Sequence, residues 1–253
     1  MQIFLFVESM GTMTDVLWKE AEPIIKVPER HPFLTAMVYG TLPESNFIYY
    51  VLQDALYLKS FAECLRILSE KAEVEPKDSE RLKEFAVAAE EAELSLHNSF
   101  FKKWQIDSSL ATEMPNTLLY TSYILRIVST RDYAEGLAVL LPCFWVYMHV
   151  GKSMLRLRSE LGDAVQRYPQ FDEWIDMYSG DEFEKHVNEY IAIVNSVAAG
   201  VDDGKFNLMK QHFLIACKLE HMFWDQAMSL MQWPSIAENE NEKTEWMTHT
   251  CLL

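Results

Sequence analysis

The chain has 253 residues, 49% of them hydrophobic and 13% aromatic, enough apolar surface to bury one substantial core. Its 22 basic and 38 acidic residues leave a formal charge of −16, which repels phosphate backbones and anionic membrane surfaces and sets nucleic acid aside as a partner. Cys64, Cys143, Cys217 and Cys251 form no Cys-x-x-Cys pair and no metal-ligand spacing, so they read as reduced thiols of a cytoplasmic protein.

Residues 1–13 carry no clear period and read as a leader. The apolar run at 3–7 is too short for a signal-peptide core and no basic residue precedes it. From Thr14, Val16, Leu17, Ala21, Ile24 and Ile25 mark a helix that stops near Pro28, and a short helix follows between Pro32 and Gly40. Three- and four-residue steps through Phe47, Tyr50, Val51, Ala55, Leu58, Ala62, Leu65 and Leu68 predict a long helix over 44–72. Asp54 and Tyr57 lie on it three apart. A carboxylate there either sits in solvent on the helix rim or is buried against a hydrogen-bond donor or cation.

Asp78 or Ser79 is the expected cap of a helix running through Phe85 and Leu94 to Trp104, with Glu90, Glu91 and Glu93 on a solvated face. Pro115 opens a helix bearing Tyr120 and Tyr123 that ends near Thr130. Asp132 begins another, extending to about Leu161. Its apolar stretch at 136–151 falls short of the ~20 residues of a membrane span and is interrupted by Pro142. Pro142 should bend this helix one turn before Cys143, and Cys143 and Tyr147, four apart, share one face. The ordinary reading of Cys143 is a small buried hydrophobe; the functional one is a thiol facing a bound molecule.

After the turn at 168–170, residues 174–178 predict a short helix, and Asp181 with Glu184 resembles a capping pair for a helix to Ala199. A loop at 200–204 precedes a last helix from Phe206 to about Met231. Glu220 lies beside its apolar side, either paired in solvent with a neighbour such as Lys218 or pushed into the interior, where its protonated form is favoured. Residues 234–253 are acidic and aperiodic and read as a disordered tail. With no strand-rich region, repeat or Gly-rich phosphate loop, the pattern predicts an all-α bundle, with one helical domain over 14–233.

In order along the chain stand His31-Pro32-Phe33 with Gly40-Thr41-Leu42-Pro43; Tyr49-Tyr50-Val51-Leu52-Gln53-Asp54-Ala55-Leu56-Tyr57-Leu58; Pro115-Asn116-Thr117 with Tyr120-Thr121; Leu141-Pro142-Cys143-Phe144-Trp145-Val146-Tyr147; Trp174-Ile175 with Tyr178 and Asp181-Glu182-Phe183; and Glu220 with Phe223-Trp224-Asp225. Each piece is weak by itself, but their ordered occurrence resembles the TenA family of thiaminase II enzymes, the aminopyrimidine aminohydrolases. The resemblance implies a haem-oxygenase-like multi-helix bundle, a homotetramer, and no metal or organic cofactor. It implies hydrolysis of 4-amino-5-aminomethyl-2-methylpyrimidine to the 5-hydroxymethyl compound and ammonia, in thiamin salvage, with cleavage of thiamin as a second reaction.

Matched motif to motif, Cys143 falls on the nucleophile and marks the cysteine-containing branch, Glu220 on the catalytic acid/base, and Asp54 on the residue that fixes the substrate amino group. Tyr57, Tyr120, Tyr147 and Tyr178 fall on or near pocket positions. His221, where relatives often carry an aromatic residue, stays unassigned. Two other classes compete. A di-iron centre wants two Glu-x-x-His pairs, but Glu93 with His97 and Glu182 with His186 are four apart, and a lone His31 or His97 as haem ligand is less expected than a structural histidine. A non-catalytic pyrimidine-binding bundle is the remaining alternative.

Overall fold

The computed structural model describes residues 11–71, 75–92, 98–104, 106, 108 and 111–235. Most of the leader (1–10), Glu93, Leu94, His97, Cys251 and the acidic tail from 236 onward lie outside the described residues. Among the described residues are ten α-helices and no strand: α1 (Met13–Ile25), α2 (Pro32–Val38), α3 (Glu44–Ser69), α4 (Pro76–Ala92), α5 (Asn98–Trp104), α6 (Pro115–Thr130), α7 (Tyr133–Leu161), α8 (Pro169–Ser179), α9 (Asp181–Ala198) and α10 (Asp203–Ser229), with 3-10 turns at Pro28–Arg30 and Gly162–Ala164.

The centre of the bundle is α7. It packs on α10, α8, α9 and α6, while α3 packs on α4 and α6, and α1 lies against α10 and α9. This explains why α7 reads so apolar. By length and composition it qualifies to cross a bilayer, further than the count over 136–151 allowed, yet 78% of its most apolar window is buried inside the bundle. The helix runs unbroken through Pro142.

Several helix starts differ from the sequence expectation, each for a local reason. Thr12 caps α1 in a reciprocal capping box with Asp15, so the helix begins inside the segment assigned to the leader. Pro76 opens α4, which puts Asp78 and Ser79 inside its first turn; Ser79 instead donates to the Ser69 carbonyl at 2.6 Å and ties α4 to the end of α3. Whether α4 and α5 are continuous falls on residues 93–97, outside the described residues. Gly180, not Asp181, is the N-cap of α9, and Glu184 is drawn away to Lys152. Asp202 caps α10 by accepting from the Lys205 N–H at 2.7 Å, so Gly204 is helical rather than part of a loop.

Candidate active site

The three- and four-residue spacings of α3 and α7 put Asp54, Tyr57, Leu58 and Phe61 on one helix face and Cys143, Phe144 and Tyr147 on another, and the two faces meet across a cavity of about 700 Å³. The end of α8 brings Tyr178 to the same wall, and the start of α9 brings Phe183. The volume is that of an ordinary small-molecule site. Of the seven residues singled out in the sequence, five line this cavity: Asp54, Tyr57, Cys143, Tyr147 and Tyr178. Tyr120 and Glu220 are not on the wall; they form the layer behind it, where the Tyr120 ring lies 4.8 Å from that of Tyr57 and its hydroxyl donates to Glu220 Oε1 at 2.7 Å.

Both carboxyls left open by the sequence are buried. Asp54 is 3% exposed and Glu220 1% exposed, while Lys218 points to solvent and is no partner for it. Burial pushes the Glu220 carboxyl up to about 8; the Tyr120 hydroxyl opposes the rise and the nearby Asp54 charge adds to it. Glu220 therefore holds its proton at neutral pH. Cys143 is partly buried, and desolvation drives its thiol well above the usual cysteine range, with Glu220 adding to the rise and the Tyr57 phenol partly offsetting it. The resting pair is a thiol and a carboxylic acid, so ionisation of the sulfur has to accompany ligand binding or reaction.

The phenols are held by packing. Trp174 Nε1 donates to the Tyr50 hydroxyl at 3.3 Å, which donates to the Tyr147 hydroxyl at 3.3 Å. Tyr178 is wedged among Tyr147, Trp174 and Phe183 at ring separations of 4.9, 4.7 and 5.1 Å. Its approach depends on Gly151. A Cβ there would lie 2.6 Å from the Tyr178 carbonyl carbon and 2.7 Å from its oxygen. Sequence reasoning did not weigh Gly151, although a glycine four residues beyond Tyr147 in the middle of a long helix carries a cost of about 1 kcal/mol relative to alanine that some close approach has to justify. Tyr50 and Trp174 stand in the sequence as helix-face and motif positions, with nothing there to mark them as supports of the pocket phenols. Tyr57 Oη is buried close to the Cys143 thiol and the Tyr120 hydroxyl, yet makes no hydrogen bond of ordinary geometry among the described residues.

His221 lies away from this cavity, with His31 and Asp225, their ligating atoms all within 4.8 Å of one another. The trio does not suit a metal. His31 caps α2 by accepting the Phe33 N–H on Nδ1 at 3.1 Å, which leaves the hydrogen of the neutral ring on Nε2, bonded to Asp225 at 3.1 Å. A histidine ligating through one nitrogen carries the hydrogen on the other, and here the cap occupies that position. His31 is a structural cap and clamp between α2 and α10.

Comparison with known proteins agrees with this geometry. Residues 18–230 match the TENA/THI-4/PQQC family. The chain is 32% identical over 216 residues to the aminopyrimidine aminohydrolase of Bacillus subtilis strain 168, covering 84% of this chain and 88% of that one. Among solved structures it resembles the TenA homologue of P. horikoshii OT3, at TM-score 0.77 and 26% identity over 87% of this chain and 99% of that one. A Shewanella denitrificans OS217 domain described as having a heme oxygenase-like fold matches at TM-score 0.69 and 16% identity, over 88% of this chain and 94% of that one, a likeness of fold alone. The extent of the family match and the identity to the Bacillus protein together establish that this chain is a member of the TENA/THI-4/PQQC family.

Proposed function

We propose that this protein is an aminopyrimidine aminohydrolase of thiamin salvage that hydrolyses 4-amino-5-aminomethyl-2-methylpyrimidine to the 5-hydroxymethyl compound and ammonia, and cleaves thiamin at the same exocyclic carbon. The observation that carries the reading is the meeting of Asp54, Tyr57, Cys143 and Tyr147 on one cavity wall, backed by a carboxyl that keeps its proton at neutral pH. The name of the Bacillus relative supports it.

The exocyclic carbon–nitrogen bond is hard to break while the ring is aromatic, because the ring offers no electron push. Addition of the Cys143 sulfur to the unsubstituted ring carbon removes that obstacle. As the S–C bond forms, the ring C=N electron pair moves onto nitrogen, which takes the Glu220 proton; the thiol proton passes to the carboxylate so created. Tyr120, bonded to Glu220 at 2.7 Å and packed against the Tyr57 ring, holds that carboxyl in position behind the wall. With the exocyclic amine in its ammonium form, the nitrogen pair then expels neutral ammonia; water adds to that carbon and gives its proton to the ammonia. The sulfur leaves as thiolate and regains its proton from Glu220, which takes back the ring N–H proton as the ring becomes aromatic again.

Asp54 accepts from the 4-amino group, a charge-assisted contact worth about 1.5–3 kcal/mol. The tyrosine and phenylalanine faces suit a flat heterocycle. Homotetrameric assembly and a cytoplasmic setting rest on the family resemblance and belong to the same proposal; light scattering of the purified protein tests the former.

The decisive assay is ammonia release from the aminopyrimidine by wild type and Cys143→Ser. The variant should lose at least about 10³-fold in kcat while still binding the hydroxymethyl product. Normal turnover in the variant removes Cys143 as nucleophile. Binding without turnover in the wild type favours the non-catalytic pyrimidine-binding alternative.

A further inference from the structure

The mouth of the active cavity has a charge pattern that the chemistry above does not use. Glu91 at the end of α4, Asp176 on α8, and Asp181 and Glu182 at the start of α9 border it, and no lysine or arginine does. All four are exposed, in contrast to Asp54 on the inner wall. Of the nearby cations, Arg158 pairs with Asp176 at the mouth as well as with Asp172, while Lys152 is engaged by Glu184 and Arg81 by Glu84 and Glu189. Asp176 is thus compensated. Among the described residues Glu91, Asp181 and Glu182 take part in no ion pair. His186, one turn beyond Glu182, is held toward its neutral form first by burial and then by Arg81, so it offsets little of this charge near pH 7. That the cavity receives a polar ligand has independent support inside: the Tyr57 hydroxyl, on a residue 3% exposed, reaches the wall and makes no hydrogen bond of ordinary geometry among the described residues.

We infer that this acidic mouth selects cationic substrates, drawing in the ammonium form of an aminopyrimidine or a thiazolium and holding back phosphate esters of the same rings. Each exposed carboxylate alone is screened and weak. Several of one sign at the entrance of an apolar cavity add, because the low-dielectric walls focus their field and raise the local concentration of a cation. Tyr178 and Phe183 line the cavity beside these carboxylates, and aromatic rings near a cation favour it as well. The inference rests on the proposed function for the reaction but not for the binding preference.

The test compares wild type with the double variant Asp181→Asn/Glu182→Gln. Its control is Glu160→Gln/Glu173→Gln, which removes the same charge from exposed positions on α7 and α8 that do not line the cavity. For 4-amino-5-aminomethyl-2-methylpyrimidine at low salt, the mouth variant should lose about five- to tenfold in kcat/KM, through KM, and 0.5 M salt should erase the difference from wild type. Its Kd for the neutral hydroxymethyl pyrimidine should change less than about twofold, and its discrimination against thiamin monophosphate relative to thiamin should relax. Equal losses for cationic and neutral ligands, or the same loss in the control, would overturn the inference. If wild type releases no ammonia, the proposed reaction fails, but calorimetric Kd values for the two pyrimidines still decide. A cation preference present in wild type and lost in the mouth variant sustains the inference, and no preference in wild type ends it.

Discussion

Two glutamates of this bundle are buried almost equally, Glu220 at 1% and Glu135 at 2% exposure, and they titrate in opposite directions. Around Glu220 the neighbours are phenols, a thiol and another carboxylate, with no cation among the described residues, so burial prevails and the carboxyl rises to about 8. Around Glu135, burial again opposes ionisation, but Lys205 at 2.6 Å and His212 Nε2 at 2.9 Å donate to it and bring the net shift below the ordinary carboxylate value. Lys205 also binds Asp132, the cap of α7, and the other nitrogen of His212 meets the Tyr123 hydroxyl at 2.8 Å. Equal exclusion from solvent does not fix the proton state: Glu135 lies near the surface with cations at hand, Glu220 lies deep among phenols and a thiol, and depth and partners act together. One carboxyl pins α7 to α10 and the other is kept ready to give up a proton.

Substituting Glu220→Gln should break the contrast most. A positioned general acid contributes 10²–10⁴-fold, so a kcat loss of about that size is expected. The wild-type rate should fall as pH rises through about 8, where Glu220 surrenders its proton, and this limb should vanish in the variant. Stability follows the same group with a definite sign. Its folded-state affinity for the proton is raised, so its contribution is full below the unfolded value near 4.5 and is lost as pH rises toward 8. Denaturant unfolding of wild type relative to Glu220→Gln should show this loss, on the order of 3 to 5 kcal/mol between pH 4 and pH 9. A flat difference between the two proteins would mean that Glu220 is ionised at rest.

Lys205→Met should act on the other glutamate and on its neighbour Asp132, the cap of α7, but not on Glu220. Leaving Glu135 without its nearest cation should cost about 2 kcal/mol at pH 7, less than a fully buried pair because Lys205 is 27% exposed. Glu135 has a depressed value in the fold, so its stabilisation is present above the unfolded carboxylate range and fades as pH falls through the folded one. The pH–rate limb near 8 should stay in place; its displacement would show that the two clusters communicate through α10.

The smallest effect belongs to Tyr120→Phe. It removes the one hydrogen bond that favours ionised Glu220, so the basic limb should move to higher pH. A shift downward in the pH–rate profile would contradict the assigned direction of that bond.

Much of the cavity was legible before any coordinates. Cys143 with Tyr147 and Asp54 with Tyr57 stand at helical spacings that are a property of the chain itself, and the ordered motifs brought in Tyr120, Tyr178 and Glu220. The roles at the helix starts were less legible, because Ser79 and Glu184 have partners, Ser69 and Lys152, on other helices. By sequence Glu91 reads as a plain solvated position; only the packing of α4 beside α9 puts it at a cavity mouth.

By itself the sequence determined that this chain is a bundle of helices and which residues share a face, because a period of 3.6 is written locally and needs no distant partner. Tertiary structure decided the rest. Asp54 and Glu220 could each have sat in solvent until α3, α6, α7 and α10 closed over them, and His31 finds Asp225 only across 194 positions of chain. The proton held by Glu220 depends on which groups surround it, and those come from helices far apart in sequence, so no local pattern contains it.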